Sequence, residues 1–155
     1  MNISPTLVEQ LSKQDITFDV LEHSYSNTSL NSAYSANVPS SQMVKSVILE
    51  DDSGYVMALV PATHHVKLNQ LNMAMNRNLT LAKESELKEI FTDCDLGAIP
   101  PIGEAYGIET IVDYDLDECS DIYIESGNHT ELVHISGSSF RKLMESSQHA
   151  NLCMH

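Results

Sequence analysis

The hydrophobic and polar positions along the chain predict a mixture of short strands and helices. An unbroken run of β-branched and large apolar residues over 44–49 is typical of a strand, and a turn-like stretch follows at 51–54. The apolar run at 55–60 then completes a predicted hairpin. Because this second arm is apolar at every position, we expect it to lie inside a sheet with both faces covered.

The rest of the pattern mixes the two kinds of element without a strict strand–helix–strand repeat. Helices are predicted to begin near Ser4-Pro5 and Asn27-Thr28, and to cover about 67–75, 83–91 and 138–144. Further strands are predicted at about 17–23, 79–81, 110–113, 121–125 and 131–135. This mixture favours an α+β fold with a mixed sheet or barrel. Residues 1–145 form the predicted single domain, and the polar residues 146–155 a mobile tail.

Composition places the chain among globular proteins. Its 155 residues are 42% hydrophobic, enough to bury a core. Neither a signal peptide nor an apolar run of about 20 residues is visible, so we expect a cytoplasmic protein without membrane contact. Three cysteines without CxxC spacing are most simply reduced thiols.

The charge balance is strongly acidic. Eight Lys and Arg residues stand against 22 Asp and Glu residues, for a formal net charge of −14. Such a surface repels polyanions over about one Debye length. Half of the basic residues nevertheless lie within positions 67–88: Lys67, Arg77, Lys83 and Lys88. They predict either a small positive surface for a few phosphates or simply well-solvated helices.

Lys45 is the unusual residue of the first predicted strand. Strand alternation puts its side chain on the same face as Met43, Val47 and Leu49. A lysine among apolar neighbours either extends its amine to water or points into a pocket that binds a negative group. The residues alone leave both interpretations open.

A stiff loop is predicted at Gly97-Ala98-Ile99-Pro100-Pro101-Ile102-Gly103. Two adjacent prolines remove two backbone donors and restrict two φ angles, so this segment is neither a helix interior nor a central strand. The flanking glycines allow sharp turns. Such a loop suits the wall of a small pocket and equally suits an ordinary connection.

Other candidate sites are weaker. The neighbouring His64 and His65 would point apart in an extended segment, and a possible ligand set in the predicted tail comprises His149, Cys153 and His155. We therefore expect no metal, and no nucleotide-cofactor motif is present. A thiolate nucleophile is disfavoured at Cys94 and Cys119, because neither has a histidine near it in sequence. A general base among Glu104, Asp113 and Asp115 is a less simple interpretation than a solvated acidic face.

Taken in order, several segments resemble a known family. They are Val44-Lys45-Ser46-Val47-Ile48-Leu49, Leu59-Val60-Pro61, Leu81-Ala82 before a Glu-rich helix, the loop at 97–103, and the predicted hairpin around Gly127. This chain is similar over about residues 17–144 to the YbaK family, aminoacyl-tRNA deacylases related to the editing domain of bacterial prolyl-tRNA synthetases. The resemblance implies a barrel-like mixed sheet surrounded by helices.

The resemblance also implies an activity and a site. Members hydrolyse the ester of a mischarged aminoacyl-tRNA without metal, cofactor or covalent intermediate, so the implied partner is a tRNA acceptor end with its attached amino acid. Lys45 stands at the family's lysine, which is thought to hold the phosphate or carbonyl region of the terminal adenosine. The implied substrate-binding residues are Ser46, Gly97, Pro100, Pro101, Gly103, Gly127 and His129.

Departures from the family pattern leave a second class of function open. Ser46 stands where many relatives carry Thr or Asn, and Ala62-Thr63-His64 stands where some carry Gly-Asp-His. The alternative is a non-catalytic module of the same fold that binds an aminoacyl or nucleotide-like ligand, or a protein partner. Acidity favours this alternative, and Lys45 with the proline loop favours the deacylase. For a deacylase we expect Lys45 and Pro100-Pro101 on opposite walls of one pocket.

Overall fold

A computed structural model describes residues 3–153. Its α-helices are α1 (Pro5–Lys13), α2 (Ser29–Ala36), α3 (Leu68–Met75), α4 (Glu84–Ile90), α5 (Tyr114–Asp117) and α6 (Gly137–Leu143). Its strands are β1 (Asp19–Glu22), β2 (Val44–Asp51), β3 (Gly54–Pro61), β4 (Thr80–Leu81), β5 (Glu109–Asp113), β6 (Asp121–Glu125), β7 (Glu131–Ser136) and β8 (Gln148–Ala150). Short 3₁₀ turns occupy Ser40–Gln42, Leu96–Ala98 and Gly103–Tyr106. The α+β class and the single domain are as predicted.

Local signals determine where the helices begin and end. Ser4 and Thr28 each accept a hydrogen bond at their side-chain oxygen from a backbone N–H of the first turn, at 3.3 and 3.1 Å. Helices α2 and α3 stop at Asn37 and Asn76, whose φ angles of 58° and 52° are left-handed. Asparagine tolerates this conformation better than most residues.

The larger sheet has the strand order β4-β2-β3-β5-β8. Strands β2 and β3 pair antiparallel from Val44 opposite Pro61 to Asp51 opposite Gly54, which confirms the predicted hairpin. Strand β3 also pairs in parallel with β5, so it is central as expected. Its alternate residues enter two apolar clusters, one on each face of the sheet.

The second sheet is a three-stranded antiparallel one with the order β1-β7-β6. A single parallel bridge between Met43 and Tyr123 joins it to β2. The two sheets therefore form no closed barrel among the described residues, because closure needs continuous pairing around the circumference, while the mixed α+β fold is as the resemblance implied. After the bridge, β2 pairs with β3 and then β4, whereas β6 pairs with β7.

The C-terminal residues differ from the predicted polar, mobile tail. Strand β8 pairs in parallel with β5, and Leu152 and Cys153 are buried against the cluster around β3. The Leu152 backbone is held at both ends, by the Asp113 carboxylate and by the Lys67 N–H. Two apolar residues late in the segment thus outweigh the polar ones before them. His155, from the suggested ligand set, lies outside the described residues.

Candidate functional site

The site is built where the two sheets separate. Beyond the Met43–Tyr123 bridge, residues 44–47 of β2 have a strand partner on the β3 side only, within the described part of the chain. Strand β6 likewise turns away to pair with β7. Beyond the bridge the two strands form no further ladder with one another among the described residues, and we call this interruption of pairing the gap. Unpaired strand edges offer backbone donors and acceptors.

On the β2 side, Ser46 contacts the proline loop. Its Oγ donates a hydrogen bond of 3.3 Å to the carbonyl oxygen of Ile99, immediately before the prolines. Both Pro100 and Pro101 are buried, and the Ile102 N–H closes a tight turn on the Pro100 carbonyl at 2.9 Å. The loop is therefore a rigid support packed against β2.

The other end of the loop meets the segment before α2 and the β6–β7 hairpin. A Cβ placed on Gly97 would lie 2.7 Å from the Asn27 carbonyl oxygen and 2.9 Å from His129 Cε1, so only glycine fits. His129 Nδ1 lies 2.9 Å from the Ser26 carbonyl oxygen, which can only accept a hydrogen bond. In the neutral ring Nδ1 is then the donor and Nε2 the acceptor. Nε2 is 3.8 Å from an Asp95 carboxylate oxygen.

A buried carboxyl group completes the site, and sequence reasoning missed it. Glu125, the last residue of β6, is only 2% exposed, and its Oε2 accepts a 2.8 Å hydrogen bond from Ser29 Oγ on α2. Burial raises the pKa of Glu125 to about 7. Its Oε1 has no hydrogen-bond partner among the described residues. The sequence alternation of β6 does not indicate that Glu125 is buried. It places Glu125 on the same face as Asp121 and Tyr123, which is the polar face of the strand.

These contacts link the segments around the gap into a ring. We call this ring of contacts the rim. The chain runs between four contact points: Ser46 with Ile99, Gly97 with Asn27 and His129, Ser29 with Glu125, and Tyr123 with Met43. Three of the residues that the resemblance suggested, Ser46, Gly97 and His129, therefore come together on one structural feature. Pro100 and Pro101 are buried in the loop that carries the Ile99 and Gly97 contacts, and they stiffen it.

Lys45 precedes Ser46 on β2, and its side chain points to the opposite face of the strand. Its Nζ donates a 2.6 Å hydrogen bond to the carbonyl oxygen of His64, and partial burial lowers its pKa. Only the ionised form of the nearby Cys153 would act against that shift in pKa. The Lys45 amine is hydrogen-bonded to His64 and not to the proline loop, and its placement across a pocket from Pro100-Pro101 stays a prediction. Ser46 makes the loop contact instead, because adjacent strand residues point to opposite faces.

The two remaining suggested glycines serve packing contacts. A Cβ on Gly103 would lie 2.3 Å from Thr110 Oγ1, and this residue borders a hollow of only about 10 Å³ near α6. Gly127 has a left-handed φ of 105° and approaches Ser4 and Cys94, while its carbonyl accepts from the Asp95 N–H at 2.8 Å. Larger hollows of about 490 and 500 Å³ lie elsewhere, at α1 and at the β2–β3 turn.

The alternative chemistries gain no support from the geometry. Burial raises the pKa of Cys94 to about 11 and that of Cys153 to about 12, so both thiols stay protonated at neutral pH. Asp113 is buried, and its carboxylate accepts a hydrogen bond from the Leu152 N–H, so this side chain has a structural role. Within residues 3–153, no group of three His, Cys, Asp or Glu side chains could hold a metal ion. No helix in the same range is long and apolar enough to cross a membrane.

The predicted positive surface loses one member in the structure. The Arg77 guanidinium donates to the Asp51 carboxylate, to Glu109 and to the Gly54 carbonyl, and so holds the β2–β3 turn. The bonds from Arg77 lower the pKa of Asp51 to about 2. Lys67, Lys83 and Lys88 are exposed.

Comparisons with known proteins agree with this fold. A family model described as an aminoacyl-tRNA editing domain matches residues 23–143. No curated protein sequence matches the chain. Among similar crystal structures, one proposed to be a trans-editing enzyme for prolyl-tRNA synthetase has a TM-score of 0.84 at 20% identity, covering 99% of this chain and 100% of that one. A hypothetical protein has a TM-score of 0.83 at 20% identity, covering 96% and 99%. A protein from Marinobacter aquaeolei VT8, proposed to act in signal transduction, has a TM-score of 0.79 at 17% identity, and 97% of this chain matches 30% of that one.

Proposed function

The chain belongs to the aminoacyl-tRNA editing domain family, and on that premise we propose that it hydrolyses the ester bond of misacylated aminoacyl-tRNA in trans. Water adds to the ester carbonyl carbon, the bond from that carbon to the ribose oxygen breaks, and the products are a free amino acid and tRNA. The observation that carries the proposal is the rim, because it brings together Ser46, Gly97 and His129, and Lys45 precedes Ser46 on the same strand.

Lys45 is the proposed electrostatic anchor of the substrate. Its position on β2 next to the gap suits contact with the terminal phosphate or the ester carbonyl. A positive charge held in a water-poor site stabilises developing negative charge by about 3 kcal/mol. The amine would exchange its present hydrogen bond to the His64 carbonyl for one to the substrate.

His129 is the proposed proton acceptor at the rim. Since Nδ1 donates to the Ser26 carbonyl, the lone pair of the neutral ring is on Nε2. That nitrogen can accept a proton from the attacking water or from the neighbouring ribose hydroxyl. Proton transfer by a positioned histidine contributes about 10²–10⁴-fold to such reactions.

The acidic surface restricts how tRNA binds. With a net charge of −14, the body of the protein repels most of the tRNA backbone. Binding is then confined to the acceptor end, with two or three phosphates near the exposed lysines. Pro100, Pro101, Gly103 and Gly127 act in this proposal as the support that keeps the rim in place rather than as direct contacts.

Deacylation of a panel of misacylated tRNAs by the wild type and Lys45→Ala tests the proposal. We expect the wild type to release at least one amino acid and Lys45→Ala to lose this activity, while unfolding changes by no more than about 1 kcal/mol. Lys13→Ala, which removes one exposed positive charge on α1 and none of the lysines proposed to meet phosphates, is the matched control. Full activity in folded Lys45→Ala contradicts the anchoring role.

The same net charge favours the second candidate, a non-catalytic module that binds an aminoacyl or nucleotide-like ligand. This candidate predicts saturable binding of an aminoacyl-adenosine without turnover of any tRNA in the panel. Measuring affinity and hydrolysis on the same preparations therefore distinguishes the two functions.

A further inference from the structure

The carboxyl group of Glu125 has unused hydrogen-bonding capacity on the rim. Its Oε2 is held by Ser29 Oγ, while Oε1 is buried and has no partner within residues 3–153. A buried acceptor without a donor costs about 1–3 kcal/mol, and more when it is charged. A fold retains such a group at low cost only if something else compensates it, and an entering donor would do so.

Glu125 and Lys45 occupy equivalent positions on the two diverging strands. The parallel bridge joins Met43 to Tyr123, and Lys45 and Glu125 each lie two residues beyond it, where β6 ends and β2 continues to Asp51. Side chains at i and i+2 share a face, so Lys45 and Glu125 project from the same side of the two diverging strands. One cationic and one acidic side chain therefore flank the same gap.

We infer that Glu125 binds the α-ammonium group of the aminoacyl moiety, and thereby restricts the site to substrates with an unblocked amine. The inference rests on the proposed function. In an aminoacyl ester the nitrogen is attached to the carbon next to the ester carbonyl. A substrate whose carbonyl lies beside Lys45 therefore brings a positive charge into the gap, where Oε1 of Glu125 lacks a donor.

Other occupants fit this carboxyl group less well. A metal ion needs several ligands, and no suitable group of three exists among the described residues. A ribose hydroxyl is a neutral donor and gains less from a carboxylate than an ammonium group does. If Glu125 served only to hold α2 in place through Ser29, its loss would weaken the binding of all ligands equally. An N-acylated ester lacks the positive charge for this contact.

Binding of non-hydrolysable analogues tests the inference. The probes are 3′-deoxy-3′-(aminoacylamino)adenosines of glycine, alanine and serine, each with a free and an N-acetylated amine, measured by calorimetry. We expect the wild type to bind at least one free-amine probe more tightly than its N-acetyl form by about tenfold or more, the range for one hydrogen bond to a charged group. Glu125→Gln keeps the shape and an acceptor for Ser29, and should reduce this preference to less than about threefold.

Glu131→Gln is the matched control, because it removes one carboxylate from the same hairpin but outside the rim. It should keep the preference of the wild type. Equal binding of both probe forms, no binding of either form, or a preference that persists in Glu125→Gln overturns the inference. The wild-type comparison stands even if a variant fails to fold. A chain that prefers the free amine but deacylates no tRNA contradicts the proposed hydrolysis and still supports this role of Glu125.

Discussion

Replacing Glu125 by glutamine should remove a defined pH dependence from the free energy of unfolding. Burial raises the pKa of this carboxyl group from 4.5 to about 7, and the bond from Ser29 opposes that shift. In the unfolded chain the group titrates near its ordinary value. At about 1.4 kcal/mol per pKa unit, the difference corresponds to about 3 kcal/mol.

The sign follows from which state binds the proton more tightly. Below pH 4.5 the carboxyl group is neutral in both states, and its contribution to stability is at its maximum. Between pH 4.5 and 7 the unfolded chain releases the proton while the folded protein retains it, so stability falls as the pH rises. Above about pH 7 the loss is complete. Glutamine does not titrate and removes this decrease.

Urea unfolding of both proteins at pH 4.5, 6 and 8 measures the effect. The free energy of unfolding of Glu125→Gln, relative to the wild type, should rise by about 3 kcal/mol between pH 4.5 and 8. Titration of all other groups cancels in this difference. At pH 4.5 the variant should be equal to the wild type or slightly less stable, because the amide brings an additional donor into a buried site.

Ser29→Ala provides a control of opposite sign. The Ser29 hydroxyl stabilises the ionised carboxylate, so its removal should raise the pKa further and steepen the decrease. If Glu125→Gln and the wild type keep a constant difference from pH 4.5 to 8, the carboxyl group titrates normally. The assignment of Glu125 as a buried, poorly compensated acid would then be refuted.

Three further predictions concern the rim, the outer sheet and tRNA. Gly97→Ala should lower the deacylation rate by at least about tenfold, because the new Cβ displaces Asn27 or His129; an unchanged rate in the folded variant contradicts the close contact. Asp121 and Asp19 raise the pKa of His134, so its stabilising effect is complete below pH 6.5 and is lost as the pH rises through the higher folded value; His134→Gln should abolish this part of the pH profile in urea unfolding. The affinity for tRNA should fall with a slope of about −1.5 to −2 in log K against log salt, for two or three single-stranded phosphates; a slope near zero would exclude phosphate contacts.

Local chemistry in the sequence was sufficient for most of the secondary structure and for the family. The β2–β3 hairpin, the central position of β3 and the caps at Ser4 and Thr28 follow from alternation, turn residues and hydroxyl caps, which act over a few residues. The resemblance to the YbaK family is confirmed by the match over 23–143. It rested on segments that each keep their own local pattern.

Only the tertiary structure decided how those segments meet. Sequence alternation placed Lys45 correctly on one face of β2, but it could not show that Ser46, on the other face, contacts the proline loop. The divergence of β2 from β6, the burial of Leu152 and the position of Glu125 under α2 all depend on contacts between residues far apart in the chain. Burial and pKa are properties of such contacts, so a carboxyl group that alternation placed with polar neighbours is a buried acid in the folded protein.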